Sequence, residues 1–205
     1  MARRPVAGER GQAHTLEAIV GALLVLSAVL FALQMTAVTP LSASTSSQHI
    51  ENQQRTTASG VLAASAETGA LEEAVLFWNT SGSRFHGSDQ PNIQDVYINR
   101  APPNEFGTLL DQSFDRRGIA YNVNVVYKTN GSGTQTQQMV HQGVPSDNAV
   151  SASRLVTLMD DDTLYDSTGT PTATAVSRDT FYAPDAAPNT PVYNVVRVEV
   201  VVWRI

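Results

Sequence analysis

The sequence predicts an α+β protein: a long N-terminal transmembrane helix that continues, past a break near Pro40, into a helix packed on an antiparallel β-sheet head domain. Three observations predict it. Residues 18–33 are sixteen uncharged positions, with Ser27 the only polar one. Ile50, Thr57, Val61, Ala64, Leu71, Val75 and Trp78 recur at three-, four- and seven-residue spacings, with gaps, the signature of a helix with one apolar stripe. Beyond Asn79 the chain is punctuated by Gly, Ser, Asn and Pro, and several segments alternate with period two, as half-buried strands do.

The 205 residues have room for one membrane segment and one domain of about 150 residues. The expected regions are a basic leader at 1–12, a transmembrane helix at 13–41, an extracellular helical stalk at 42–78 and a β-rich head at 79–205. The formal charge is −6, and one lysine stands against twelve arginines. Net acidity argues against a nucleic-acid partner. Low Lys with abundant Asp and Thr is the composition expected of a halophile with a GC-rich genome. With no cysteine there is no disulfide framework and no thiolate metal site.

In the first element, the uncharged run that begins at Ala18 continues to Thr39. Counted from Leu16 it is long enough for the roughly 20 residues that cross ~30 Å of hydrocarbon. Lipid offers the backbone no hydrogen-bond partners, so the segment must be helical. Arg3, Arg4 and Arg10 precede it, and the next cation is Arg55. The positive-inside rule then puts the N-terminus in the cytoplasm and the remainder outside, in a single-pass protein of the cell membrane. Three uses of such a segment compete: a plain signal anchor, a cleaved signal peptide, and a leader cut before the apolar helix. The run exceeds the ~7–15 apolar residues of an ordinary signal peptide, which counts against the second.

Arg10-Gly11-Gln12 followed by a helix resembles the leader of archaeal type IV pilins and archaellins. Thr15-Leu16-Glu17 resembles the Thr-Leu-Ile-Glu start of type IV pilins. The run through residues 39–44 and 48–53 also resembles a group of haloarchaeal membrane proteins. The resemblance covers roughly residues 8–55. It implies a class III, prepilin-type leader processed by a prepilin peptidase around Gly11, Gln12 and Ala13. It also implies a glutamate near the mature N-terminus that docks other pilin-like subunits, here Glu17. A cut after Gln12 makes Glu17 the fifth mature residue; a cut after Gly11 makes it the sixth. On physical grounds alone, a carboxylate in a membrane segment is costly and usually functional. The competing reading places Glu17 at headgroup level in the first helical turn, where the macrodipole favours an anion.

The later elements follow in order. Pro40 breaks or kinks the helix. A second helix is expected at about 46–66, ended or interrupted by Gly69, and residues 71–78 read as a short helix or turn. Residues 106–114 suggest a short helix. In 119–128, Tyr121, Val123, Val125 and Tyr127 share one face, and Asn122, Asn124 and Lys128 the other. Residues 131–133 form a turn and 134–140 the returning strand, with a further strand at 150–159. The last strand, 192–205, alternates Val196, Val198, Val200 and Val202 against Arg197, Glu199, Val201 and Trp203. A helix on an antiparallel sheet is the simplest closed core for these parts. Residues 166–191, rich in Thr, Ala, Pro and Asp, are expected to be a long exposed loop.

No constellation points to catalysis, and none to a cofactor. His14, His49, His86 and His141 are scattered, without zinc-site spacing. Phosphate-loop and nucleophile-elbow motifs are absent. Asp160, Asp161 and Asp162 read as a solvated acidic turn rather than a calcium site, because the spaced ligand pattern is missing. Trp78 and Trp203 read as core packing. Asn79-Thr80-Ser81 and Asn130-Gly131-Ser132 match the N-glycosylation acceptor pattern at predicted turns. Gly21, Ala22, Ser27, Ala28 and Ala32 allow helices to approach closely. The expectation is a non-catalytic surface protein whose partners are the lipid bilayer and other pilin-like subunits, assembled into a pilus or pseudopilus-like structure. A monomeric, membrane-anchored binding or accessory domain is the competing expectation, and a tethered enzyme the third.

Overall fold

A computed structural model describes residues 8–89, 96–131 and 133–204, with side chains at 14–34 and from 48 onward. Arg3, Arg4, Ser132 and Ile205 lie outside the described residues. The chain divides into two compact units between His49 and Ile50. Each is described by itself.

The first helix, α1, is assigned from Gly8 to Glu67 and is not interrupted at Pro40. The expected break into two helices is therefore absent from the backbone assignment. A proline inside a helix removes one N–H and crowds the carbonyl four residues back, at a cost of roughly 3 kcal/mol. Here the helical turns on both sides carry that cost without ending the element.

In the second unit, α1 ends where the sequence places its stop. Gly69 sits in the left-handed region at φ 81°, and its C=O accepts from the Glu73 N–H at 3.0 Å. A glycine adopts that conformation without steric cost. The helix α2 (Ala70–Leu76) then buries Ala70, Leu71, Ala74, Val75 and Leu76. The helix α3 (Glu105–Ser113) is capped by Asn104, whose Oδ1 accepts from the Gly107 N–H at 3.0 Å. Phe106, Leu110 and Phe114, each four residues apart, are fully buried.

Among the described residues nine strands are assigned, in chain order β1 (Trp78–Asn79), β2 (Arg84–Phe85), β3 (Tyr97–Ile98), β4 (Ile119–Lys128), β5 (Thr134–His141), β6 (Val150–Met159), β7 (Thr163–Tyr165), β8 (Pro171–Ala175) and β9 (Val192–Arg204). The main sheet has the order β3-β5-β4-β9-β6. Its β4/β5, β4/β9 and β6/β9 pairs are antiparallel, but the β3/β5 pair is parallel. The wholly antiparallel sheet expected from the sequence is corrected at that edge, where a two-residue strand is too short to show a period.

Val196, Val198, Val200 and Val202 are fully buried on β9, and Val123 and Val125 on β4. This face meets Ala58, Val61 and Leu62 of α1, all of α2's buried residues, and Phe106 and Leu110 of α3 in one core. The other face of β6 exposes Ser151, Ser153, Leu155 and Thr157. Asn122, expected on the polar face, is 5% exposed. Its amide donates to the Gly143 carbonyl at 2.9 Å and accepts from the Gln142 N–H at 2.8 Å, so residues 142–143 cover it.

Residues 166–191 are not simply an exposed loop. They contain β8, which pairs with β7, and bury Val176, Phe181 and Ala183. The Tyr182 ring lies 4.9 Å from Trp78 and 5.6 Å from Tyr127, and its hydroxyl donates to the Val75 carbonyl at 3.2 Å. Trp78 and Trp203 are both buried, as expected.

Candidate functional site

The segment His14–Gln34 of α1 is long and apolar enough to cross a membrane, with mean hydropathy 2.5. Eleven large apolar side chains between Leu16 and Leu33 are 48–68% exposed. They occupy every side of the helix, so no single stripe is left to face a protein core. At about 1.5–3 kcal/mol per large side chain, leaving them in water forfeits on the order of 20 kcal/mol. That exceeds the whole stability of a typical domain, about 5–15 kcal/mol. A segment of this kind is long and apolar enough for a single membrane span or signal anchor.

Glu17 lies at the start of this segment. Its Oε2 is 3.7 Å from Nδ1 of His14, one turn earlier, and both side chains are 83% exposed. In water an exposed pair of this kind contributes little. Helical backbone is assigned from Gly8 onward, more than two turns before Glu17. Removal of the residues up to Gly11 or Gln12 would bring Glu17 within two turns of a new helix start, where the helix end favours an anion. Gly11, Gln12 and Ala13 are helical in backbone, and their side chains lie outside the described set.

The two glycosylation candidates differ. Asn79 is half-buried in β1, and its Oδ1 accepts from the Gly82 N–H at 3.2 Å. The Thr80 hydroxyl donates to the Thr180 carbonyl at 3.0 Å. Asn130 is exposed in the β4–β5 hairpin, where the Thr129 N–H donates to the Gly133 carbonyl at 3.0 Å. Asn130 is thus the accessible one of the pair.

The remaining candidates stay apart. His49 is exposed. His86 packs edge-on against Phe77 at 5.1 Å, and desolvation lowers its pKa below the ordinary value. Nδ1 of His141 meets Nε2 of Gln138 at 3.2 Å. Among the described residues no three His, Asp or Glu side chains gather as a metal site. In the acidic turn, Asp162 accepts from the Met159 N–H at 2.7 Å and closes the β6–β7 connection, while Asp160 and Asp161 face solvent.

A family model described as a family of unknown function, DUF7288, matches residues 10–202. No curated protein and no solved structure matches the chain.

Proposed function

The chain belongs to the DUF7288 family of unknown function, and we propose that it is a non-catalytic, pilin-like surface protein of a salt-adapted archaeon. In this reading the N-terminus is cytoplasmic and α1 crosses the cell membrane once. The β-rich domain is extracellular, with Asn130 open to glycosylation. A prepilin peptidase removes the leader after Gly11 or Gln12, and the apolar helix then packs with those of other subunits in a pilus or pseudopilus-like assembly.

The observation that supports the reading best is the exposure of eleven large apolar side chains around α1, with a single carboxylate at one end. A lone anchor needs the apolar surface but has no use for the carboxylate. In an assembly, Glu17 pairs with the new α-amino group of a neighbouring subunit, which removes the cost of an unpaired charge in lipid. The small residues Gly21, Ala22, Ser27, Ala28 and Ala32 allow close helix approach.

N-terminal sequencing of the protein extracted from its native membrane tests the proposal. A new start at Gln12 or Ala13 is expected. An intact start at Met1 or Ala2 overturns it and leaves the monomeric anchored domain.

A further inference from the structure

One cleft in the second unit has a charge character opposite to that of the chain. It measures about 190 Å³ and lies between one face of α1, formed by Ile50, Gln53, Gln54 and Thr57, and one end of the main sheet. The sheet contributes Ile119 and Arg204, and the turn before β4 contributes Arg117. The ladder itself brings the last three together: Ile119 pairs with Arg204, and Arg117 precedes Ile119 by two residues. Period two continues the inward row of Val196, Val198, Val200 and Val202 to Arg204, so the apolar row ends in a cation on the face that α1 covers.

Neither Arg117 nor Arg204 pairs with a carboxylate among the described residues. The neighbouring Arg116, by contrast, interacts with Asp111. Gln54 is only 6% exposed as a residue and lines the same cleft. Its place on the cleft wall lets its amide donate to a group entering the cleft.

We propose that this cleft binds a phosphate oxyanion, held by the guanidinium groups of Arg117 and Arg204 with a hydrogen bond from the Gln54 amide. Guanidinium groups present paired N–H donors that match phosphate oxygens. The volume is below the ~300 Å³ at which pockets for drug-sized ligands begin. It suits an isolated phosphate or a lipid headgroup phosphate, and the chemistry of recognition is the same for both. The site does not depend on whether the chain assembles into a filament.

Calorimetric titration of the full-length chain in a neutral detergent tests this with two probes, inorganic phosphate and phosphatidylglycerol dispersed in the same micelles. Saturable heat with at least one probe is expected. Heat with inorganic phosphate identifies a site for the free anion, and heat with phosphatidylglycerol alone identifies a headgroup site. Arg117→Gln with Arg204→Gln should weaken binding tenfold or more, and Arg117→Gln alone about fivefold. Gln54→Leu should weaken binding at least threefold. Arg178→Gln, which removes the same charge elsewhere, should leave binding unchanged. No heat above the blank with either probe overturns the proposal, as does equal binding by the wild type and the double variant. Circular dichroism confirms that each variant is folded, which the exposure of both arginines favours.

Discussion

Glu17 brings the one negative charge into a segment otherwise free of acidic and basic residues as far as Gln34. If it docks a neighbour's α-amino group, the bond is a charge-assisted one of about 1.5–3 kcal/mol. Glu17→Gln keeps the shape and loses the charge, so incorporation into filaments should fall roughly tenfold, the factor that 1.4 kcal/mol gives. Quantitative blotting of sheared filaments against total membrane protein checks this; unchanged incorporation leaves the carboxylate without a docking role. Tyr182 is the residue that composition hid. It joins Trp78, Phe85 and Tyr127 through its ring and Val75 through its hydroxyl. Tyr182→Phe should cost about 1 kcal/mol for the lost hydrogen bond, and Tyr182→Ala about 3 kcal/mol or more for the emptied volume. Denaturant unfolding of the full chain measures both. A near-zero cost for the alanine variant would mean that 166–191 does not close the core.

The elements with a clear period were legible in advance, and the others were not. β4 and β6 occupy the expected residues, β9 does so as far as the described residues run, β5 differs from expectation by one residue, and α3 is shifted by one. In each, alternating or helical burial is written directly into the side chains. β1, β2 and β3 have two residues apiece, too few for a period. α3 carries a further constraint that periodicity does not show. A methyl group added at Gly107 would overlap the carbonyl of Pro102. The capping side chain of Asn104 holds that loop against the first turn, so neither partner can withdraw freely. Gly107→Ala should therefore cost about 3 kcal/mol, the upper range of overpacking, and should release Phe106 and Leu110 from the core. Thermal melts followed in the near ultraviolet test this, and a variant as stable as the wild type would show that the loop yields.

Over the whole molecule, acidity carries a local price. Burial, and then Asp162, raise the pKa of Glu72; burial, and then Glu105, raise that of Glu73. A carboxylate with a raised folded pKa binds protons more readily when folded. Its charged form therefore opposes folding at neutral pH, and the penalty fades as the pH falls through the raised folded value. Glu72→Gln should raise the melting temperature at pH 7. The gain should shrink on acidification and vanish below about pH 4.5, the ordinary value. Salt should remove the Asp162 part and leave the burial part. A gain that persists in acid would contradict this cause.

The sequence by itself determined the apolar segment, the end of α1 at Gly69, the long strands and the burial of both tryptophans. Each of these depends on neighbours along the chain: hydropathy over one span, a glycine at one turn, alternation within one strand. Only the tertiary structure decided that the helical backbone continues through Pro40, that β3 joins its sheet in parallel, and that Phe181 enters the core with Tyr182 packed against it. It also brought Gln54 to Arg117 and Arg204, residues far apart in sequence whose meeting depends on strand register and on which face of α1 turns inward. Such pairings are set by the closing of the core and leave no periodic trace in the residues themselves, so no reading along the chain could have found that cleft.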